Sequence, residues 1–390
     1  MLLSQRTQLF GLLALPTAPF REQHIIEWAR HVLANAGVPF FADPTGNLVV
    51  GVASQRAYLK LLNTHHTEPV RVFIAHMDHP GFHGVRWLSP KRLAVRWHGG
   101  APVKHVNGAR VWLANGQGSC GEGKLAKIKL STSGATLATA EVRLDSANET
   151  AAECRAGELF GGFAFRSPVW RVGRRIYTKA ADDLVGVFAI IETACKLWGR
   201  RASATTPPFI GLLTRAEEVG FVGAIAHFEQ GWLSRARRPV LCVSLESSRT
   251  LPGAIIGKGP IVRLGDRRTV FNADATQILS ELAQRSLPSA HQRRIMDGGA
   301  CEATAATAYG LPAIGISVPL GNYHNQGFEG GPDCARAQGP APEFVHTDDI
   351  DGMLTLCRAL MQPNLPWTRA WDKTRRTLRQ RLRKYQSLLR

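Results

Sequence analysis

The sequence lacks several features that would indicate particular classes of protein. Its seven cysteines are widely spaced with no Cys-x-x-Cys pair, which excludes a disulfide framework or a cysteine-based zinc finger as the basis of the fold. No apolar run approaches the roughly 18 residues that a membrane-spanning helix needs. Acids are scarce too, since 30 Asp and Glu oppose 48 Lys and Arg, a formal charge of +18. These features predict a cytoplasmic protein with reduced thiols and no membrane span.

The pattern of apolar residues predicts two kinds of structure in the 390 residues. Helical spacing near 22–36 and 184–198 alternates with short apolar strands such as 70–75, which is typical of strands buried on both faces. Between about Phe82 and Ser167 the chain instead shows short β-rich pieces and Gly-rich turns. We predict an α/β fold, with a mixed, mostly parallel sheet sandwiched by helices and interrupted by an inserted β-rich, barrel-like domain.

The predicted boundaries give three parts. Residues 1–84 and 168–366 form the α/β domain, 85–167 the insert, and 367–390 a basic amphipathic C-terminal helix. This last segment has nine basic residues and one acid, a net charge of +8. Its apolar residues recur at helical spacing, so it can dock on a neighbouring subunit, on anionic lipid or on nucleic acid. Because such helices are more often solvated faces or assembly tails, we do not expect nucleic acid to be a partner.

Polar residues follow four apolar strands of the α/β domain at the point where each strand ends. These residues are His76 and Asp78, Glu217 and Glu218, Glu246, and His324. A further pair, Asp182 and Asp183, begins the helix that returns to the sheet after the insert. Because ligands of open α/β sheets bind at the carboxyl ends of the strands, we expect these side chains to form one site.

Two imidazoles and several carboxylates without cysteine suit zinc, cobalt or manganese. There are more such groups than one tetrahedral ion needs, which predicts two ions bridged by one carboxylate. The ligands would be His76, Asp182, Glu218, Glu246 and His324. Of the doublet at 217–218, Glu218 would coordinate and Glu217 would act as general base. Asp78, two residues after His76, would hold the other imidazole N–H.

Several of these residues lie in motifs that resemble a known family. The motifs are His76-Met-Asp-His-Pro-Gly-Phe82, Lys179-Ala-Ala-Asp-Asp-Leu-Val-Gly186, Glu217-Glu-Val-Gly220, Gly257-Lys-Gly-Pro260, and Ser317-Val-Pro-Leu with Tyr323-His324. In this order they resemble the glutamyl aminopeptidase and tetrahedral aminopeptidase family of di-zinc metallopeptidases. The resemblance extends over about residues 8–362.

The resemblance implies a zinc aminopeptidase-like fold, two divalent metals, most readily zinc, and a role for each site residue. Asp182 rather than Asp183 would bridge, Glu217 would be the base, and Asp78 would orient His76. It also implies peptide substrates and a homo-oligomer, either a dimer or a dodecamer assembled through the insert. Cobalt and manganese stay open as alternatives.

The sequence departs from the family pattern near the substrate side. Leu184 and Asn322 occupy positions that usually hold Arg, Glu246 replaces a more usual Asp, and Glu302 stands where an Asp is expected. An extra Gly/Pro-rich loop extends from Asn325 to Pro342. These features mark a divergent subgroup and leave the side-chain preference open.

Three functions remain compatible with the residues. The first is a metal-dependent aminopeptidase that hydrolyses N-terminal residues of short peptides through a two-metal centre with a bridging water. The second is a related two-metal amidase or deacylase acting on N-acyl amino acids. The third is a non-catalytic protein that binds through its basic tail.

Overall fold

A computed structural model describes residues 1–145, 149–199 and 207–389. In those ranges the strands are β1 (Phe40–Ala42), β2 (Leu48–Val50), β3 (Val70–His76), β4 (Gly81–Ser89), β5 (Arg92–His98), β6 (Arg110–Asn115), β7 (Gly118–Leu130), β8 (Leu137–Leu144), β9 (Phe160–Phe163), β10 (Val169–Val172), β11 (Arg175–Thr178), β12 (Phe209–Thr214), β13 (Val240–Arg249), β14 (Ile261–Asp266), β15 (Gln292–Met296), β16 (Ala313–Leu320) and β17 (Glu343–His346). The α-helices are α1 (Leu3–Ala14), α2 (Gln23–Asn35), α3 (Gln55–Asn63), α4 (Glu149–Glu153), α5 (Leu184–Gly199), α6 (Val222–Glu229), α7 (Ala273–Ser286), α8 (Glu302–Ala308), α9 (Thr347–Leu360) and α10 (Asp372–Tyr385).

The α/β part is built on an eight-stranded sheet with the order β1-β2-β12-β3-β13-β16-β14-β15. The central run β12-β3-β13-β16 is parallel, and antiparallel pairs flank it at β2/β12 and β14/β16. Every residue of β3, β12 and β16 is buried, because helices cover both faces. The predicted mixed, mostly parallel sheet between helices is confirmed.

Two apolar layers hold the helices against this sheet. One layer packs α1, α2, α5, α7 and α9 on one face, and the other packs α3, α6 and α8 on the opposite face. Helix α5 is almost wholly apolar on all sides and lies at the centre of the first layer, where ten of its residues are buried. This packing fixes the start of α5, next to the strand ends that hold the predicted site.

The β-rich segment forms a closed barrel with the strand order β4-β5-β8-β7-β6-β9. Its core is separate from those of the sheet and includes Phe82, Leu93, Val111, Val142 and Phe163. The predicted barrel-like insert is therefore present. After it, β11 pairs with β10 on one side and with β17 on the other, in a three-stranded sheet that brings the chain back to the site.

The two ends of the chain differ in their packing. The apolar residues Leu9, Leu12 and Leu13 of α1 are fully buried against the sheet layer. Helix α10 instead has no buried residue among those the structure describes. Among the described residues, no helix is both long enough and apolar enough to span a membrane.

Candidate metal centre

His76 is the last residue of β3, and its imidazole is held in one orientation. Its Nδ1 lies 3.1 Å from the backbone oxygen of Asp78, so the Nδ1–H donates to that carbonyl and Nε2 is the nitrogen that would bind a cation. Such a hydrogen bond is the usual means of fixing the tautomer of a metal-binding histidine. Nε2 faces the carboxyl-terminal edge of the sheet, where it lies 3.6 Å from Asp182 Oδ1.

The carboxylate of Asp78 lies near the His76 imidazole, and its closest contacts are with another part of the site. Its Oδ1 accepts the backbone N–H of Glu217 at 2.9 Å, and its Oδ2 accepts that of Glu218 at 3.1 Å. The carboxylate lies 3.6 Å from His76 Nδ1, farther than the carbonyl of the same residue. Asp78 thus joins the two strand ends, because its carbonyl orients the imidazole and its carboxylate holds the turn at 217–219.

Asp182 lies between the two histidines. Its Oδ1 is 3.6 Å from His76 Nε2, and its Oδ2 is 3.6 Å from His324 Nε2. Asp183 has another role: its Oδ1 accepts the backbone N–H of Gly186 in the first turn of α5, and the hydroxyl of Ser247 donates to it. Of the acidic pair, only Asp182 faces both imidazoles.

Glu218 and His324 form the second half of the cluster. Glu218 lies in the 3₁₀ turn after β12, and its Oε2 is 3.1 Å from His324 Nε2. His324 follows β16 with a left-handed backbone (φ 53°). Residues other than glycine rarely adopt this conformation, and they concentrate at functional sites where the surrounding structure enforces it. Here the conformation turns the imidazole back over the sheet edge.

Glu246 lies within β13, one strand away from β3 in the sheet. Its Oε1 accepts the hydroxyl of Ser244 at 2.9 Å, and its Oε2 lies 3.8 Å from Arg263 Nη1. The longer side chain still brings a carboxylate oxygen into one group with His76 and Asp182. The departure from the usual Asp therefore leaves the grouping intact.

The potential ligand atoms form three overlapping groups, and the atoms of each group lie within 4.8 Å of one another. Two groups contain only predicted ligands: His76, Asp182 and Glu246 in one, and Asp182, Glu218 and His324 in the other. The third group joins His76 and Glu218 to Glu217. Ligand atoms about 2.0–2.1 Å from a tetrahedral ion are about 3.3–3.5 Å apart, close to the separations between Asp182 and the two imidazoles. Asp182 Oδ1, Glu218 Oε1 and His324 Nε2 are buried without a hydrogen-bond partner among the described residues. These residues therefore fit a pair of divalent cations.

The electrostatics of the cluster also suit cations. Burial opposes charge on His324, but Glu218 and Asp182 outweigh it and raise its pKa to about 10. Burial likewise opposes charge on His76, yet Glu217 and the two nearby aspartates raise its pKa well above the usual value. Both shifts reflect a surplus of carboxylates in a confined space, which is the environment that a divalent ion neutralises.

Glu217 lies beside this cluster and is largely buried. Its Oε2 is 3.8 Å from His76 Nε2, and the side chain lines the same cleft as Asp182 and Glu246. Burial is the first cause of a pKa raised well above that of an ordinary glutamate. Its backbone N–H is held by Asp78, so the side chain is directed into the cleft from a fixed turn.

The comparisons with known proteins agree with this geometry. A family model described as M42 glutamyl aminopeptidase matches residues 59–328, well over half of the chain. The chain belongs to the M42 glutamyl aminopeptidase family. The predicted family is confirmed, and with it the assignment as a metal-dependent aminopeptidase. No curated protein is a significant match to the sequence.

Several solved structures share the fold of this M42 protein. The TET1 peptidase of Pyrococcus horikoshii, which can assemble into a tetrahedron or a large octahedral shell, is 19% identical with a TM-score of 0.69, covering 92% of this chain and 99% of that chain. An aminopeptidase from Desulfurococcus kamchatkensis is 19% identical with a TM-score of 0.71, covering 93% and 97%. A TET aminopeptidase from a marine sediment thaumarchaeon is 18% identical with a TM-score of 0.71, covering 92% and 96%. At these identities the likeness establishes the fold.

Glu343 is a residue of the site that sequence reasoning missed. It is fully buried, and its Oε2 accepts the backbone N–H groups of Ala181 at 2.7 Å and Asp182 at 3.2 Å. Its Oε1 accepts the backbone N–H of His324 at 2.8 Å. One carboxylate therefore holds two ligand-bearing segments together. The only sequence signal was an acid at the start of an apolar strand, which indicated nothing specific.

The departures from the family pattern have structural roles in this M42 protein. Asn322 is buried, and its side-chain amide donates to the backbone oxygens of Gly330 and Pro342 at 2.9 Å each, so it holds the extra loop. Glu302 is buried at the start of α8, accepts the Thr214 hydroxyl, and has a pKa raised to about 8 by burial. Leu184 is packed in the core.

The barrel contributes directly to the surroundings of His324. A Cβ atom placed on Gly100, just after β5, would lie 2.0 Å from His324 Nδ1. The backbone of the insert therefore packs against the imidazole with no space for a side chain. The close contact with His324 explains why a glycine is needed at position 100.

Proposed function

We propose that this M42 protein removes N-terminal residues from short peptides through two divalent cations. His76, Asp182 and Glu246 would hold one ion, and Asp182, Glu218 and His324 the other. The observation that carries the proposal is the position of Asp182, whose two oxygens each lie 3.6 Å from one histidine nitrogen. Glu218 also comes close to both imidazoles, but only Asp182 belongs to both of these ligand groups. The donor set of nitrogen and oxygen atoms favours zinc, with cobalt or manganese as alternatives.

The residues around the cluster account for proton transfer. When bound, two such ions acidify a shared water and polarise the scissile carbonyl. Glu217 would accept the proton of the attacking water and return it to the leaving amine. A carboxylate that is buried beside other acids has a raised proton affinity, which suits a group that must hold a proton and then release it. Asp78 would keep Glu217 in place through its backbone N–H.

Arg263 supports a preference for acidic N-terminal side chains. It is 3% exposed, lines the cleft with Met296 and Ala300, and has no hydrogen-bond partner for Nε or Nη1 among the described residues. A buried guanidinium with free donors matches a substrate carboxylate in charge and geometry. Because hydrogen bonds to charged groups contribute about 1.5–3 kcal/mol, Arg263→Met should lower kcat/KM for an N-terminal Glu about tenfold to hundredfold more than for an N-terminal Leu. The loss of the guanidinium beside Glu246 affects both substrates alike.

The test compares free and N-acetylated peptides with purified protein loaded with zinc, cobalt or manganese. We expect release of free amino acids from the unblocked peptides only. Glu217→Gln should reduce turnover about 100-fold or more while metal content stays at the wild-type level. Glu27→Gln, an exposed residue of α2, is the matched control. Preference for blocked amines would favour a deacylase, and undiminished turnover by Glu217→Gln would disprove the assigned base.

We also propose that separate parts of the chain carry out catalysis and assembly. Residues 1–84 and 168–366 would form the catalytic domain, and 85–167 the domain that mediates assembly into a homodimer or a dodecamer. The closed barrel with its own core supports an independent unit, and the Pyrococcus horikoshii peptidase of the same fold assembles into closed shells. Light scattering on the purified protein tests this, since a monomer would contradict it.

A further inference from the structure

In the described parts of the chain, helix α10 is attached to the catalytic domain only at its beginning. The Arg71 guanidinium lies 5.0 Å from the centre of the Trp367 ring, and the indole N–H of Trp371 donates to Asp274 Oδ1 at 2.7 Å. Ala370, between the two tryptophans, is buried against the first apolar layer. Beyond this anchor the helix extends over 14 residues, none of which is buried. The anchor fixes where the helix leaves the domain and leaves its surface accessible.

The helix presents a continuous apolar stripe to solvent. The stripe consists of Leu378, Leu382 and Tyr385 of α10, and of Leu389 in the 3₁₀ turn that follows the helix, at intervals of four, three and four residues. At 100° per residue this spacing keeps the three side chains of α10 within a narrow sector of one helix face. The exposed fractions of the four side chains lie between 51% and 77%. Exposed leucines aligned over this length indicate a surface that binds something apolar.

The remaining faces of α10 are strongly basic. The helix contains seven basic residues, Lys373, Arg375, Arg376, Arg379, Arg381, Arg383 and Lys384, and one acid, Asp372, which pairs with Arg375 at 3.3 Å. Most of these cations flank the stripe on both sides and continue around the back of the helix. The partner must therefore be apolar at its centre and anionic around it.

The basic faces of α10 and its apolar stripe together indicate which partner the helix binds. A second copy of α10 would pair the stripes but would bring two helices with net charges of six together, so like charges would oppose the contact. Nucleic acid would attract the arginines through its phosphates but offers no apolar environment for the leucines. A bilayer of anionic lipid satisfies both faces, because acyl chains accept the stripe and headgroups neutralise the cations.

We propose that α10 is an interfacial helix that lies on anionic phospholipid bilayers, with the stripe in the acyl region and the arginines among the headgroups. Its attachment at Trp371 would place the catalytic domain directly above the bilayer. No residue of the stripe belongs to the metal centre, so this binding is independent of the peptidase activity proposed above.

The experiment is co-sedimentation of the full chain with vesicles of phosphatidylcholine alone or with 30% phosphatidylglycerol. We expect at least tenfold stronger partitioning onto the anionic vesicles, weakened by added salt. Leu378→Gln with Leu382→Gln should lower it tenfold or more at unchanged charge. Arg376→Gln, Arg379→Gln and Arg383→Gln together should lower it similarly. The control Arg30→Gln, Arg56→Gln and Arg237→Gln changes the same charge at exposed positions elsewhere and should have little effect.

Several outcomes would overturn the proposal. Equal partitioning onto neutral and anionic vesicles, or a leucine variant that partitions like the wild type, would contradict it. Retention on duplex DNA that the leucine variant leaves unchanged, without vesicle binding, would assign the helix to nucleic acid. A smaller oligomer in the leucine variant, again without vesicle binding, would assign it to a second copy. Peptidase activity of each variant serves as the check of folding.

Discussion

The contact between Gly100 of the barrel and His324 gives the sharpest test of the site geometry. Alanine at position 100 would place its Cβ 2.0 Å from His324 Nδ1, 2.9 Å from Cε1 and 3.1 Å from Cγ. Since ordinary contacts of a Cβ atom begin at about 3.4 Å, the imidazole or the loop must move by about 1.4 Å. The backbone at Gly100 has an ordinary φ, so the effect comes from this overlap and not from conformational preference.

The expected loss of activity in Gly100→Ala follows from how precisely metal ligands must be placed. Ligand distances in metal sites are kept to about 0.2 Å, and a misplacement of about 1 Å in an active site costs about 100-fold in rate. We therefore expect Gly100→Ala to lower kcat about 100-fold and to weaken metal binding. Steady-state kinetics at several zinc concentrations and metal analysis of the dialysed protein measure both effects.

The matched control is Gly116→Ala. Gly116 lies in a turn of the same barrel, where an added Cβ has no atom within 4 Å. Its variant should keep activity and metal content within about twofold of the wild type. If Gly100→Ala also kept wild-type activity and metal content, the placement of His324 against the barrel would be wrong, and with it the second metal cluster.

Three further predictions concern groups around the centre. Glu343→Gln leaves at least one of three backbone N–H groups without an acceptor, so metal affinity should fall about tenfold to hundredfold, measured by competition with a chromogenic chelator. Burial, together with His98, lowers the pKa of His83 to about 4, so the folded state stays neutral where the unfolded state gains a proton. The contribution of His83 to the free energy of unfolding is therefore fully present above about pH 6.5. It decreases by about 1–2 kcal/mol, for a half-buried ring, as the pH falls towards 4. In urea unfolding, His83→Gln should remove this pH dependence. Asn322→Ala removes three hydrogen bonds to the loop at 325–342, which should speed its cleavage in limited proteolysis about tenfold.

Each of these variants has a control at an exposed position. Each control makes the chemical change of its matched variant outside the site, and the controls are Glu27→Gln, His31→Gln and Asn63→Ala, in the same order. Unchanged metal affinity in Glu343→Gln would show that the carboxylate does not position the ligands. A pH slope that survives His83→Gln would assign it to other groups, and wild-type proteolysis of Asn322→Ala would show that the loop is held by other contacts.

The sequence predicted those parts of the molecule that depend on local patterns. Continuous apolar runs such as β3 and β12 predicted buried parallel strands, because only strands covered on both faces need no polar side. The convergence of His76, Glu218 and His324 followed from the rule that parallel strands end at one edge of the sheet. The convergence of these side chains could thus be inferred without knowing any long-range contact.

Long-range contacts explain what the sequence could not predict. Glu343 acts through backbone N–H groups 162 and 19 residues away, and such partners leave no mark on local composition. The carboxylate of Asp78 was predicted to hold His76, but its closest contacts are the N–H groups of Glu217 and Glu218, which only the folded turn brings near. The close approach of Gly100 to His324 likewise arises where the barrel meets the end of the eight-stranded sheet.

The central claim is that Asp182 bridges two divalent ions that the activity requires. The most direct measurement is the metal content of the purified protein and of Asp182→Asn after dialysis against zinc, with peptidase activity assayed on the same samples. The account predicts two zinc ions per wild-type chain, loss of activity on chelation with recovery on adding zinc, and less than one ion with at least 100-fold lower activity in the variant. Full activity in chelator, or two tightly held ions in Asp182→Asn, would contradict it.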